Sequence, residues 1–319
     1  MSLLPIGAIR DAVHERSDKT ALASERYSVE EAPDLAAFDL GHRLLEAQFG
    51  PVGEIERREV LERWFQLKSF TPPGMTLKPI YHFLLFRDRD GKVAAVRDGW
   101  TVVDVPGRRA AVFLSHSLVV PEHRRTGVAA LLRAAPVVLA RRAAEAAGVA
   151  DASVLLFAEM EPVDPTATAT VVRYLSYGRA GFGVVPPSSA PYAQPDFRDL
   201  GALGETAVPL PMMLVVRQVG AEAHDRVSWD ALTLMVDCLG TVHSTSVHPD
   251  QLPLIRAQTF KYRPPGDQPD APLIHVRRAA DLVPLLQSTV LRHHPVAWHG
   301  RPLGDPEEER RILLDTWKE

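Results

Sequence analysis

The chain of 319 residues contains one cysteine, Cys238. That excludes a disulfide framework within the chain and any cysteine-rich zinc site. Long apolar runs are also missing. The best stretch, Val128 to Leu139, is interrupted by Arg133 and falls short of the roughly 18 residues that a membrane span needs. Neither sign of charge dominates: 36 Lys and Arg stand against 40 Asp and Glu, a formal net charge of −4. Bulk electrostatic binding to nucleic acid is therefore not expected. The first ten residues lack a basic start followed by an apolar stretch, so no signal peptide is expected. Together these absences point to a soluble protein in a reducing, cytoplasmic setting, with neither nucleic acid nor membrane as a partner. What remains is 46% hydrophobic and 24% charged, close to a globular average. The length suggests roughly two domains at about 150 residues each, and the 27 prolines suggest many fixed turns.

Local patterns give an order of elements. The alternation of Ala21, Ala23, Tyr27 and Val29 reads as an early strand. Asp34 sits where a helix N-cap belongs, and Leu35, Phe38, Leu44, Leu45 and Phe49 follow at helical spacing. A second helix is expected from about Gly53 to Leu67. Residues 80–86, 93–105 and 110–120 read as strands of an antiparallel meander, the first turn being Asp88-Arg89-Asp90-Gly91. A helix then runs to about Ala147 with Pro136 inside it, where a kink or break is expected. Ser153 to Met160 is apolar throughout, as in a strand covered on both faces. A helix from about Pro165 to Ala180, a short strand to Val185, a loop over 188–206 and a strand over 209–218 follow. From Gly220 the texture changes to helix-like stretches between Pro-rich loops. We therefore divide the chain into residues 1–219 and a mainly helical extension, 220–319.

The informative segment is Ser117-Leu118-Val119-Val120-Pro121-Glu122-His123-Arg124-Arg125-Thr126-Gly127-Val128-Ala129. A strand runs into a tight loop that opens a helix. The first amides of a helix have no intrahelical acceptor and carry the positive end of its dipole. Gly127 and Ala129 let an anion approach the backbone, and Arg124 and Arg125 add charge. Neither a P-loop nor a dinucleotide-binding glycine pattern is present. Phosphates without an obvious Mg²⁺ ligand are the ligand chemistry that fits.

The loop resembles the coenzyme A pyrophosphate loop of the GNAT N-acetyltransferase superfamily, Arg/Gln-x-x-Gly-x-Gly/Ala after a strand ending Val-x-Pro. A second segment, Tyr174-Leu175-Ser176-Tyr177-Gly178-Arg179-Ala180-Gly181-Phe182, resembles that family's Leu-Tyr-x-x-x-Gly-Phe motif. The resemblance covers about residues 34–219. It implies an α/β (α+β) fold, with a mixed, mostly antiparallel twisted sheet flanked by helices. It also implies acetyl-CoA as co-substrate, no metal, and transfer of an acyl group to a small-molecule amine by direct attack. In that frame the backbone of Leu118, Val119 and Val120 pairs with the pantetheine arm. The amides from Arg125 through Thr126, Gly127 and Val128 to Ala129 hold the pyrophosphate, and Tyr177 protonates the leaving thiolate.

At the general base the sequence departs from the family's simplest pattern. Some members of the family carry a strand Glu, and the equivalent position here is about Phe113. Glu159, or His116 acting through water, is the expected substitute. Strand alternation puts Ser115 and Ser117 on the Phe113 face and His116 on the other, unless a bulge reverses it. Competing readings are a packing tyrosine at Tyr177, a satisfied strand histidine at His116, and a solvated strand end at Glu159, Glu161 and Asp164. His243, His248, His293, His294 and His299 lack convincing ligand spacing and read as loop histidines. Cys238 reads as a small buried hydrophobe. Two other functions stay open: a non-catalytic acyl-CoA-binding module whose extension docks a partner, and an enzyme of the same fold using a longer acyl or carrier-protein thioester. The extension is expected either to cover the acceptor cleft or to make a homodimer contact.

Overall fold

Asp88 closes the first hairpin of the meander. Its carboxylate accepts the backbone N–H groups of Asp90 and Lys92, while Gly91 takes a φ of 78°. The flanking strands are β3 (Ile80–Arg87) and β4 (Val93–Asp104), and β5 (Arg109–Val119) completes the meander. The computed structural model describes residues 2–14, 17–52, 54–163, 168–187, 189–197, 204, 209–247, 251–253, 255, 270–282 and 285. The remaining strands are β1 (Ser2–Leu3), β2 (Ser28–Glu31), β6 (Ser153–Met160), β7 (Gly183–Val185), β8 (Tyr192–Gln194), β9 (Leu210–Gln218), β10 (Arg226–Ser228), β11 (Asp270–Pro272) and β12 (Ile274–His275). The main sheet has the order β1-β2-β3-β4-β5-β6-β9-β7-β12, with β8 also on β9. Along this path only the β5–β6 pair is parallel. The protein is thus a mixed α/β structure with a mostly antiparallel sheet flanked by helices, the class expected from sequence.

Apolar residues alternate along the strands, so the sheet carries a core on each face. One face packs against α1 (Ile6–Asp11), α2 (Asp18–Arg26), α5 (Val128–Ala146) and α6 (Thr168–Arg179). There Leu131, Leu132, Tyr174 and Leu175 meet Leu84, Val112 and Leu156. The other face packs against α3 (Leu35–Phe49), α4 (Arg58–Leu67) and α7 (Trp229–His243). There Phe38, Trp64, Leu232 and Leu239 meet Phe83, Trp100, Phe113 and Phe157. Asp34 caps α3 by accepting the Ala37 N–H at 2.9 Å, the role its position predicts.

Several sequence expectations need correction. Ala21 and Ala23 lie in helix α2, whose N-cap Ser17 accepts from the Thr20 N–H; only Val29, in β2, is in the early strand. Helix α4 starts at Arg58 and leaves Glu54, Ile55 and Glu56 on an irregular segment. Helix α5 runs unbroken through Pro136. The loop after β7 contains β8, and residues 270–272 form β11. Of the residues described beyond Gly220, those of α7 contribute to the second core, and β12 extends the main sheet with Ile274 opposite Val184. A Cβ on Gly178 would lie 1.6 Å from the Val276 carbonyl oxygen, so this segment sits directly on α6. Residues 286–319 lie outside the described residues, as do Asp164, His248, His293, His294 and His299.

Candidate active site

The Arg124–Ala129 loop leads from a strand into a helix, the arrangement its sequence suggests. After β5, Pro121–His123 makes one 3₁₀ turn, Arg125 and Gly127 adopt φ values of 65° and 91°, and α5 begins at Val128. The start of α5 has no side-chain cap and no acidic residue in its first turn. Its free amides are therefore available to an anion. Tyr27 fixes the loop from beneath: its hydroxyl donates to Thr126 Oγ1 at 3.1 Å and lies 3.0 Å from His123 Nδ1. Thr126 in turn donates to the His123 carbonyl at 2.7 Å. Gly127 is required twice over, by its positive φ and because a Cβ would stand 2.4 Å from the Lys19 carbonyl oxygen.

Next to the loop the sheet opens. Strands β5 and β6 pair from Arg109 opposite Ser153 to Phe113 opposite Phe157. Beyond that point β5 stays with β4, and β6 stays with β9. The two strands part, and the edge of β5 that includes Leu118 and Val119 no longer has β6 beside it. Tyr177 of α6 is partly buried on the α5–α6 face and packs edge-on against Phe182 at 4.9 Å. Burial raises its hydroxyl pKa, but the charges of Arg97, Arg133 and Arg173 outweigh that and hold it below the ordinary tyrosine value. Arg97 itself is buried, with Nε and Nη1 lacking any hydrogen-bond acceptor.

The opposite face carries a buried acid–base network. Arg97 pairs with Ser117 and Gly99 with Leu114, so Ser115 and His116 together face Asp98. This is a β-bulge, and it turns His116 onto the Phe113 face. Asp98 holds the bulge: Oδ1 accepts the His116 backbone N–H at 2.8 Å and lies 3.1 Å from Nδ1, while Oδ2 accepts the Tyr81 hydroxyl at 3.1 Å. The second ring nitrogen, Nε2, lies 2.9 Å from the Glu54 carbonyl. Both ring nitrogens face acceptors, which suits the doubly protonated imidazolium. Burial pushes the His116 pKa down, but Asp98, Glu56 and the Glu54 carbonyl outweigh it and raise it to about 9.

Glu56 completes the network. Its Oε2 lies 3.6 Å from His116 Nε2, too far for a hydrogen bond, and has no hydrogen-bond partner. Burial raises its pKa, partly opposed by the His116 charge. Glu56 also lines a cavity of about 870 Å³ with His42, Arg43, Glu46, Ile55 and Phe197. The His42 Nε2 is another buried atom without a partner there. Of the nearby charges, Arg58 is tied to Asp39 and Glu62, and Arg57 to Glu59.

Glu159 is the third candidate base. It lies on the same face, where both carboxylate oxygens are engaged: Oε1 lies 3.2 Å from His243 Nε2, and Oε2 accepts from Gln194 at 3.3 Å. His243 comes from α7 and packs edge-on against Phe113 and beside Phe197. Thus His116 and Glu159 flank Phe113 on one face of the sheet, and Tyr177 stands on the other. Sequence reasoning missed Glu56 and Asp98, and it read His243 as a loop histidine, whereas His243 is buried in the last turn of α7. Glu56 looked like part of a helix, and Asp98 like an ordinary strand residue. Only the bulge and the packing of α7 bring them to His116 and Glu159. Among the described residues no group of three or more His, Cys, Asp or Glu could hold a metal ion. Cys238 is buried, and burial, followed by the Asp237 charge, pushes its thiol pKa up.

No family model matches the chain, and no curated protein matches it. Solved structures do. One is the glucosamine N-acetyltransferase region of a fungal multi-domain GH3 β-N-acetylglucosaminidase, at 17% identity over 50% of this chain and 17% of that one, with a TM-score of 0.35. The chain therefore spans well under two thirds of that enzyme. Another is a GNAT-family acetyltransferase from Staphylococcus aureus, at 10% identity over 60% of this chain and 99% of that one, TM-score 0.36. A third is a spermidine N-acetyltransferase chimera from Vibrio cholerae, at 13% identity over 62% and 98%, TM-score 0.35. These three are acetyltransferases, aligned over 50–62% of this chain.

Proposed function

We propose that the protein is a coenzyme A-dependent N-acyltransferase that moves an acyl group, acetyl in its smallest form, to a primary amine of a small molecule. The supporting observation is the parting of β5 and β6, with the uncapped start of α5 on one side and a buried carboxylate–imidazolium pair on the other. Acyl-CoA supplies an activated thioester. Arg124, Arg125 and the amides through Ala129 bind its phosphates, and the free edge of β5 orders the arm that follows. Across the sheet, the acceptor enters the cavity lined by Glu56 as an ammonium ion. Glu56 takes its proton, and the amine then attacks the thioester carbonyl directly. His116 stays cationic between Asp98 and Glu54 and keeps Glu56 ionisable in a buried position. As the C–S bond breaks, the Tyr177 hydroxyl donates a proton to the sulfur; the neighbouring arginines stabilise the transient phenolate, which is reprotonated by the second proton that the nitrogen gives up on becoming an amide. His243 and Gln194 hold Glu159, which acts here as a wall of the acceptor side.

Thiol release from acetyl-CoA and longer acyl-CoAs, measured over a panel of primary amines, tests this. The expected result is turnover with at least one amine and intersecting, not parallel, initial-rate lines. Bound coenzyme A without turnover over the panel would make the protein a binding module. Turnover confined to carrier-protein thioesters would overturn the donor assignment.

A further inference from the structure

Arg97 is 2% exposed, and its Nε and Nη1 lack a hydrogen-bond acceptor. Among the described residues no carboxylate forms an ion pair with it. A guanidinium does not lose its proton in a protein, so it cannot escape the cost of burial by becoming neutral. Its side chain meets the Tyr177 hydroxyl, a neutral group in the resting protein, so the buried charge lacks a counter-ion; that is strongly unfavourable unless an anion meets it.

The position of Arg97 narrows which anion that is. Its partner across the ladder is Ser117, two residues beyond Ser115 and within the stretch of β5 that has lost β6. Ala95, on its side of β4, belongs to the α5–α6 core, whereas Val96 and Trp100 belong to the other core. Arg97 therefore projects toward Tyr177, and its charge acts on that hydroxyl. In the function proposed above, on which this inference rests, Tyr177 stands at the thioester sulfur. The phosphates of the donor go to the Arg124–Ala129 loop, at the other end of this stretch of β5. An acetyl group brings no charge to Arg97.

We infer that the donor's acyl group ends in a carboxylate, as in succinyl-CoA or glutaryl-CoA, and that Arg97 is the residue that binds it. The carboxylate is a spectator in the chemistry. The amine nitrogen bonds to the thioester carbon, the C–S bond breaks, the sulfur takes a proton, and an amide bearing the free carboxylate leaves.

Calorimetric titration of the full chain with free CoA, butyryl-CoA and succinyl-CoA tests this, since butyryl is similar in length but uncharged. Succinyl-CoA is expected to bind at least tenfold more tightly than butyryl-CoA, and Arg97→Met to abolish that preference. Equal affinity for the two, with free CoA still bound, would overturn the inference and leave the acyltransferase reading intact. No binding of any of the three would overturn both. The wild-type comparison decides the matter even if Arg97→Met fails to fold. Arg97→Lys, which keeps the charge, is expected to retain part of the preference.

Discussion

Asp98 Oδ1 accepts the backbone N–H of His116 at 2.8 Å and lies 3.1 Å from Nδ1 of the same residue. One carboxylate thus fixes both the bulge in β5 and the charge of the side chain that the bulge displays. The consequence is thermodynamic. The His116 pKa rises on folding, from 6.5 to about 9. Its contribution to stability is complete below about pH 6.5, declines as pH rises, and is gone above about pH 9. Its size is on the order of 3 kcal/mol. Thermal melts at pH 6, 7.5 and 9 are expected to show a falling midpoint. His116→Gln is expected to be less stable at pH 6 and to flatten the trend. A wild-type midpoint that rises over this range contradicts the assignment.

Glu56 is the base in this account. Glu56→Gln keeps the shape and hydrogen-bonding capacity but cannot accept the ammonium proton. We expect a loss of about 100-fold in kcat/KM, with the acidic limb of the pH–rate profile removed. Glu159→Gln is expected to cost much less, because Glu159 is already engaged by His243 and Gln194. The reverse order of effects would return the role to Glu159.

Much of this was legible in the sequence. The Asp34 cap, the Asp88–Gly91 hairpin, the order of strands from Ile80 through Met160 and the glycine before α5 each follow from local chemistry, and each lies where its pattern placed it. The base was not legible, because nothing local marks it. Ser115 and His116 sit in an unremarkable strand, and the extra residue appears only when β4 supplies Asp98 opposite both. Glu56 falls inside the helix expected from about Gly53 to Leu67, yet the chain stays irregular until Arg58. His243 lies 84 positions from Glu159, beyond the reach of any spacing rule. Cys238, read as a packing residue, is buried in α7 among apolar side chains.

Tyr177→Phe removes only a hydroxyl from a ring that packs on Phe182. The fold and donor affinity are expected to remain. The turnover number is expected to fall by about 100-fold with amine acceptors. An equal loss in donor affinity and none in turnover would assign Tyr177 a packing role.

Gly178→Ala tests the seat of the segment after Gly220. The added methyl would meet the Val276 carbonyl at 1.6 Å, and backbone cannot yield as a flexible side chain does. A destabilisation of about 1–3 kcal/mol is expected, measured by denaturant unfolding. Unchanged stability would show that residues 274–276 do not rest on α6.

The central claim is that the Arg124–Ala129 loop and the parted edge of β5 bind coenzyme A. Calorimetric titration of the intact protein with free CoA, beside Gly127→Asp, tests it most directly. The account predicts one micromolar site per chain in the wild type and none in the variant, whose side chain opposes both the phosphate charge and the positive φ. No heat of binding in the wild type would contradict it.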